Sequence, residues 1–221
     1  MAATSNAVGA AEFLPARRSL RNLRTAAAGC RGCDLYEFAT QTVFGEGAAR
    51  ARCMLVGEQP GDSEDRLGHP FVGPAGKMLH QAIEAAGLSE RDVYVTNAVK
   101  HFKFVVRGKR RIHAKPRAIE IRACRPWLEA ELKVIRPELV VALGATAAQA
   151  LFGSSFRLMA NRGRVFDGLL AMPALATIHP SAILRAPDAD ARHEAMASFI
   201  EDLRAVNEVL NGKRKHEKRS R

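Results

Sequence analysis

Five groups of residues in this chain have types and spacings suited to chemistry. Cys30 and Cys33 form a Cys-x-x-Cys pair, and Cys53 and Cys124 follow singly. In a reducing compartment such a pair more often binds metal or carries out redox chemistry than closes a structural disulfide. Glu58 ends an apolar run and opens a Gln59-Pro60-Gly61-Asp62 loop, where backbone amides can approach an anion. Asn97 lies near the end of a second apolar run, and its amide offers a donor and an acceptor together. His179 follows a third run, and an imidazole there can donate a hydrogen bond to developing negative charge. The last group is Lys109-Arg110-Arg111-Ile112-His113, a basic run ending in a side chain that is a good nucleophile near neutral pH.

The elements that must hold these groups alternate along the chain. An Arg-rich amphipathic helix is expected over residues 14–28, stopping at Gly29-Cys30. RCMLVGE (52–58) reads as a buried strand entering a loop, and AGKMLHQAIEAAGL (75–88) as a helix ended by Gly87. DVYVTNAV (92–99) is β-branched and aromatic, as a strand requires. Pro116 suits the first residue of a helix that breaks at Pro137. ELVVALG (138–144) is another buried strand, followed by a short helix to Phe152. LLAMPALATI (169–178) holds the last expected strand, and Met196, Phe199, Ile200, Leu203 and Leu210 stripe a final helix.

Apolar strands alternating with helices predict an α/β fold, a three-layer α/β/α sandwich around a central, mostly parallel sheet. In such sheets ligands bind beyond the carboxyl ends of the strands. The segments GEQPGDSED, TNAVKHFKF and HPSAILR should therefore share one cleft. Residues 1–12 are expected to be a flexible tail, 13–210 one domain, and 211–221 a basic tail, either solvated or tethering DNA without sequence preference.

A chain of 221 residues can bury one sizeable core but is short for two independent domains. Its net charge of +11 and pI of about 10.1 favour a polyanionic partner, because cations that neutralise phosphates release counterions. No apolar run approaches the roughly 20 residues of a membrane helix, and the first residues do not read as a secretory signal. The expectation is a cytoplasmic monomer, nucleoid-associated if the source is bacterial, with no membrane partner.

Three segments, in this order and spacing, resemble the uracil-DNA glycosylase superfamily. They are Gly57-Glu58-Gln59-Pro60-Gly61, continuing through Glu64-Asp65 to Pro70-Phe71-Val72-Gly73; Thr96-Asn97-Ala98-Val99-Lys100; and His179-Pro180-Ser181 with Leu184-Arg185. The layout is similar to that of the iron–sulfur, family-four type, and the likeness runs from about Cys30 to the last helix. Two positions depart from that type. It usually has Ala where this chain has Gln59, and Cys where this chain has His101. Gln59 together with the Lys109–His113 run resembles the UdgX subgroup, whose members remove uracil and then stay covalently joined to the abasic sugar through the loop histidine.

The resemblance implies uracil-containing DNA as substrate, single- or double-stranded. Breaking an N-glycosidic bond puts positive charge on the sugar and negative charge on the departing base. Glu58 is the expected carboxylate near the sugar, and His179 the expected donor to the uracil oxygen that gains charge. Asn97 would read the polar edge of the base, with Gln59, Gly61, Asp62 and Phe71 around it; Phe71 is either a stacking platform or a core residue. Ile183, Leu184 and Arg185 would hold open the gap left by the extruded base, as an apolar wedge with a phosphate anchor beside Ser181, or Ile183 and Leu184 would simply pack on the last helix. Lys109, Arg110 and Arg111 form either a phosphate-binding patch or a device that delivers His113 to C1′ of the sugar. The resemblance also implies a 4Fe–4S cluster on Cys30, Cys33, Cys124 and His101. Zinc with the same four ligands is chemically reasonable, and Cys53 reads as a core residue. The expected activity is uracil excision followed by covalent trapping of the product in a single turnover. The alternatives are an ordinary glycosylase that activates water, and a noncatalytic DNA-binding module of the same fold.

Overall fold

The computed structural model of this protein describes residues 8–168 and 172–219, with side chains described through Gly212. Its strands are β1 (Glu46–Gly47), β2 (Cys53–Gly57), β3 (Val93–Asn97), β4 (Phe104–Arg107), β5 (Arg110–His113), β6 (Leu139–Leu143), β7 (Val165–Asp167) and β8 (Pro173–Thr177). Its α-helices are α1 (Leu20–Ala27), α2 (Asp62–Leu67), α3 (Pro74–Ala85), α4 (Ala118–Ile135), α5 (Ala145–Phe152), α6 (Leu158–Asn161), α7 (Pro180–Leu184) and α8 (Ala189–Arg219).

Six strands form one sheet in the order β1-β3-β2-β6-β8-β7. β3, β2, β6 and β8 run parallel, and short antiparallel strands close both edges. Successive side chains in a strand point to opposite faces, and here both faces are buried. Leu55, Val141, Leu143 and Leu175 pack with α3 and α8, while Met54, Val56, Val140 and Ala142 pack with α4 and α5. That double burial is why the strands read as unbroken apolar runs. The architecture is the expected α/β/α sandwich. A third cluster joins Leu23, Ala27, Phe44 and Trp127 to Cys30, Cys33 and Cys124, whereas Cys53 lies in the α3/α8 core, away from the other thiols.

Several expected boundaries move. α1 begins at Leu20 because the Ser19 hydroxyl accepts from the Asn22 N–H at 3.2 Å, capping the helix six residues later than the apolar pattern predicts. α4 begins two residues after Pro116. In the expected N-terminal tail, residues 1–7 lie outside the described residues, but the rest is docked: Gly9 N–H donates to the Gly32 carbonyl at 2.9 Å and Ala10 is buried. α8 runs on to Arg219, through most of the expected basic tail, and residues 220–221 lie outside the described residues. Residues 169–171 of the last expected strand are also outside them, and β8 begins at Pro173. The basic run is not an open loop: β4 and β5 pair antiparallel about a Gly108-Lys109 turn. Among the described residues, no helix is long and apolar enough to cross a membrane.

The loop from β2 to α3 is held tightly. Phe71 has φ 54°, a left-handed conformation that a bulky residue adopts only under constraint. Gly76 of α3 lies directly against its backbone, so that a Cβ at Gly76 would collide with the Phe71 carbonyl. Gly76→Ala should therefore lower stability by about 1–3 kcal/mol. Gly212→Ala, in open space on α8, should instead add about 0.5–1 kcal/mol. Denaturant midpoints of the two variants check this; unchanged stability in Gly76→Ala would show that the loop can yield.

Candidate active site

Gly57 pairs with Asn97, and Leu143 with Thr177, so the parallel strands end level with one another. Glu58, Asn97, Gly144 and His179 consequently leave the sheet along one edge, where they line a cleft of about 630 Å³. His113 reaches the same cleft from the end of β5. Gln59, Gly61, Phe71, Ser181 and Arg185 also line it, so most of the expected catalytic and substrate-binding residues converge.

Glu58 and His113 face each other, with Oε1 and Nε2 3.3 Å apart. Their side chains are 20% and 49% exposed, so both remain reachable from the cleft. His179 caps α7: its Nδ1 accepts from the Ser181 N–H at 3.1 Å. In the neutral ring that contact puts the proton on Nε2, leaving a donor. Arg185 donates to Ser181 Oγ at 3.0 Å, and that oxygen lies 2.8 Å from His179 Nδ1. Burial, with the neighbouring Arg185 and His113, pushes the His179 pKa down to about 4, so the ring is neutral at physiological pH.

Asn97 Oδ1 is buried with no hydrogen-bond partner. An orphaned acceptor of this kind costs free energy until a donor arrives. Gly57 permits the arrangement, because a Cβ there would collide with Asn97 Oδ1 and come within 2.8 Å of the Phe71 ring. Phe71 sits between core and cleft. It belongs to the core, and it lines the cleft with its ring 6.2 Å from that of His179.

Some expected ligand-binding groups are engaged elsewhere. Gln59 uses its amide on the hairpin neck: Nε2 donates to the carbonyls of Lys103 and Ala114, and Oε1 accepts from Lys103 N–H, each at 3.1 Å. Arg111 donates to Asp62 and Asp65 at 2.6 Å each, and its guanidinium lies 5.0 Å above the Phe104 ring. It pins the hairpin to α2 instead of standing free for phosphate, and Asp62 is its anchor rather than a lining residue. Lys109 and Arg110 are exposed at the turn. Leu184 is exposed while Ile183 is buried in the core, so only the former can act as a wedge.

Three lining features were not anticipated. The Glu64 carboxylate accepts from Gly61 N–H at 3.1 Å and Gly73 N–H at 2.7 Å, fixing both ends of the motif loop. Lys115 lines the cleft beyond His113, and so does the start of α5 at Gly144–Thr146. The rule that ligands gather beyond strand ends pointed to this last segment, since it follows β6 directly.

Cys30, Cys33 and Cys124 are free and buried, and the other two thiols help to raise the pKa of Cys124. Burial dominates that shift, to about 12, and also raises Cys33. Trp127 Nε1–H donates to Cys30 Sγ, and Lys100 N–H to Cys124 Sγ, each at 3.2 Å. His101 Nε2 lies 2.8 Å from Thr42 Oγ1, whose own proton goes to the Ala27 carbonyl. The ring must then donate from Nε2, which makes Nδ1 its lone-pair nitrogen. Burial pushes its pKa to about 4, so that lone pair is available at neutral pH. Among the described residues, no three His, Cys, Asp or Glu side chains converge as ligands of a single ion would.

The His179 shift has a consequence for stability. An unfolded histidine takes up its proton near pH 6.5, whereas this folded one resists until about 4. Between those values the unfolded state binds more protons, so stability must fall as the pH drops. Melting temperature should decline from pH 6.5 to 4, and less steeply in His179→Gln, which has no proton to gain. Parallel profiles for the two proteins would contradict this assignment.

Comparison with known proteins agrees with the geometry. The profile of the uracil DNA glycosylase superfamily matches residues 44–204. A type-4 uracil-DNA glycosylase of Sulfurisphaera tokodaii is 35% identical over 181 residues, covering 77% of this chain and 78% of that protein. A type-4 enzyme of Thermotoga maritima is 36% identical over 157 residues, covering 71% and 78%. A type-5 uracil-DNA glycosylase of Thermus thermophilus is 37% identical over 125 residues, covering 49% and 53%. With its strand-end carboxylate, amide and imidazole in one cleft and a matching profile over most of its length, this chain belongs to the uracil-DNA glycosylase superfamily.

Proposed function

We propose that this chain removes uracil from DNA and that His113 then bonds to C1′ of the abasic sugar. The observation that carries the second half is the contact between His113 Nε2 and Glu58 Oε1 inside the cleft. It brings a nucleophile to the carboxylate that stabilises the sugar cation. Family membership and the type-4 relatives support the first half. Gln59 and the Lys109–His113 run support the finer likeness to the UdgX subgroup.

Each residue has a chemical task in this reading. The uracil leaves the base stack and lies against Phe71, which gives about 1–3 kcal/mol of stacking. Its N3–H satisfies the orphaned Asn97 Oδ1; cytosine has no such donor. The C1′–N1 bond breaks with its electron pair moving onto the base, and His179 Nε2–H stabilises the oxygen that gains charge. Glu58 faces the resulting sugar cation. Attack by an imidazole lone pair of His113 forms a new C1′–N bond, and the ring gives up its N–H proton, with Glu58 the adjacent carboxylate. No external oxidant or reductant enters. Gln59 and Arg111 act by holding the hairpin, and Lys109, Arg110 and Arg185 supply cations for phosphate.

Cys30, Cys33, Cys124 and His101 are the proposed ligands of a 4Fe–4S cluster. Free buried thiols that accept N–H donors suit it, and so does a neutral His101 with Nδ1 unprotonated. Its contribution is structural, joining the N-terminal segment, the residues after β3 and α4.

A denaturing gel with a uracil-containing oligonucleotide tests the proposal. Wild-type protein should give one heat-resistant adduct per chain, and only when the DNA contains uracil. His113→Gly should release uracil without forming the adduct. Free abasic DNA from the wild type would instead indicate capture by water, and peptide mapping to another residue would exclude His113.

The cluster has its own measurement. Anaerobically purified protein should be brown with about four irons per chain. Cys124→Ala should lose the colour and Cys53→Ala keep it. Colourless protein with stoichiometric zinc would overturn the assignment.

A further inference from the structure

The neck of the β4–β5 hairpin is fastened at two places. One is the Gln59 amide. The other is an ion pair outside the cleft: Lys103 Nζ donates to Glu120 Oε1 at 3.0 Å and to Oε2 at 2.9 Å. The Glu120 side chain is only 3% exposed. It also accepts from the Arg117 backbone N–H at 2.6 Å and from Arg117 Nε at 2.7 Å, so it is built into the first turn of α4. The Lys103 carbonyl accepts from Ala114 N–H at 3.0 Å, and Ala114 directly follows His113. A shift of Lys103 therefore carries His113 with it.

The other reacting groups do not share this dependence. Glu58, Asn97 and His179 are set by the central sheet, at the ends of β2, β3 and β8. His113 stands on a two-stranded hairpin that buries little apolar surface, with Val105, Val106 and Ile112 all exposed. A two-stranded hairpin has marginal stability by itself. Its position must come from polar fastenings.

We propose that Lys103 and Glu120 are positioning residues that set how the sugar cation is divided between His113 and water. The inference rests on the capture reading above. Bond cleavage needs the sheet-borne groups, whereas capture needs the imidazole within attacking distance at the moment the cation exists. A displacement of about 1 Å can cost about 10²-fold in such a step. Removing either charge breaks both Lys103–Glu120 hydrogen bonds while Arg117 stays on Glu120 in the first turn of the helix, so the loss falls on the tie between the neck and α4.

The test uses Lys103→Met and Glu120→Gln in the full chain, under single-turnover conditions with a uracil-containing oligonucleotide. Uracil release, adduct and free abasic DNA are measured in the same sample. Release should stay within about twofold of wild type, while the ratio of free abasic DNA to adduct rises about tenfold or more. Lys103→Arg, which keeps the charge, should restore the wild-type ratio. An unchanged ratio in both variants overturns the inference. A parallel fall in release and adduct, with the ratio unchanged, overturns it too, because loss of general support for the fold would do the same. Wild-type protein that forms no adduct overturns the capture reading, and this inference with it.

Discussion

Gly57 pairs with Asn97 and Leu143 with Thr177, and the rest of the site depends on that register. A parallel ladder shifted by one residue would turn every side chain to the opposite face. The side chains of β2, β6 and β8 are buried on both faces, so such a slip would exchange the residues of two packed cores at once. The register is thus fixed by packing remote from the cleft. Level strand ends follow from it, and these bring an amide and the stems of a carboxylate and an imidazole together without long flexible segments. The glycine that ends β2 completes the arrangement, since any side chain there would displace Asn97 and Phe71.

The hairpin that carries His113 obeys different physics. It contributes little to either core, and its hold on the body is polar: Arg111 on Asp62 and Asp65, Gln59 on the neck, Lys103 on Glu120. Such contacts are directional, so they fix orientation where apolar burial would fix only proximity. Arg111 combines both, since its guanidinium also covers the rings of Phe102 and Phe104. Basic residues in this run therefore stand in two settings. Arg111 locks the hairpin, and Lys109 and Arg110 are exposed at its turn.

The central sheet and the cleft were legible because doubly buried parallel strands leave unbroken apolar runs, and ligands gather at their carboxyl ends. What escaped the sequence has physical causes. β1 and β7 are edge strands of two and three residues, too short to set up a period. The hairpin reads as a basic loop because its apolar residues face solvent rather than a core. Arg111 and Gln59 have the composition of ligand-binding groups, but their partners are distant in sequence, at Asp62, Asp65, Lys103 and Ala114. The late start of α1 was readable in principle, since Ser19 is a good cap that the apolar stripe outweighed.

The segment after β3 joins the cleft to the thiols through a buried charge. Lys100 is 1% exposed, and its Nζ donates to Glu131 Oε2 at 2.5 Å, Thr96 Oγ1 at 2.6 Å and the Asn97 carbonyl at 2.8 Å. Burying an ammonium is costly, and its three donors are all used, which is the condition under which such a pair can hold. Glu131 is satisfied in turn by Tyr94 and Thr96 hydroxyls. The Lys100 backbone N–H meanwhile donates to Cys124 Sγ. One residue thus fixes the main chain of the cleft-lining Asn97 and also touches the sulfur on α4. An apolar side chain of similar size could fill the space, but it would leave Glu131 unpaired and the Asn97 carbonyl without this donor. Lys100 ties β3 to α4 because its ammonium donates in three directions at once, to Thr96 and the Asn97 carbonyl on one element and to Glu131 on the other.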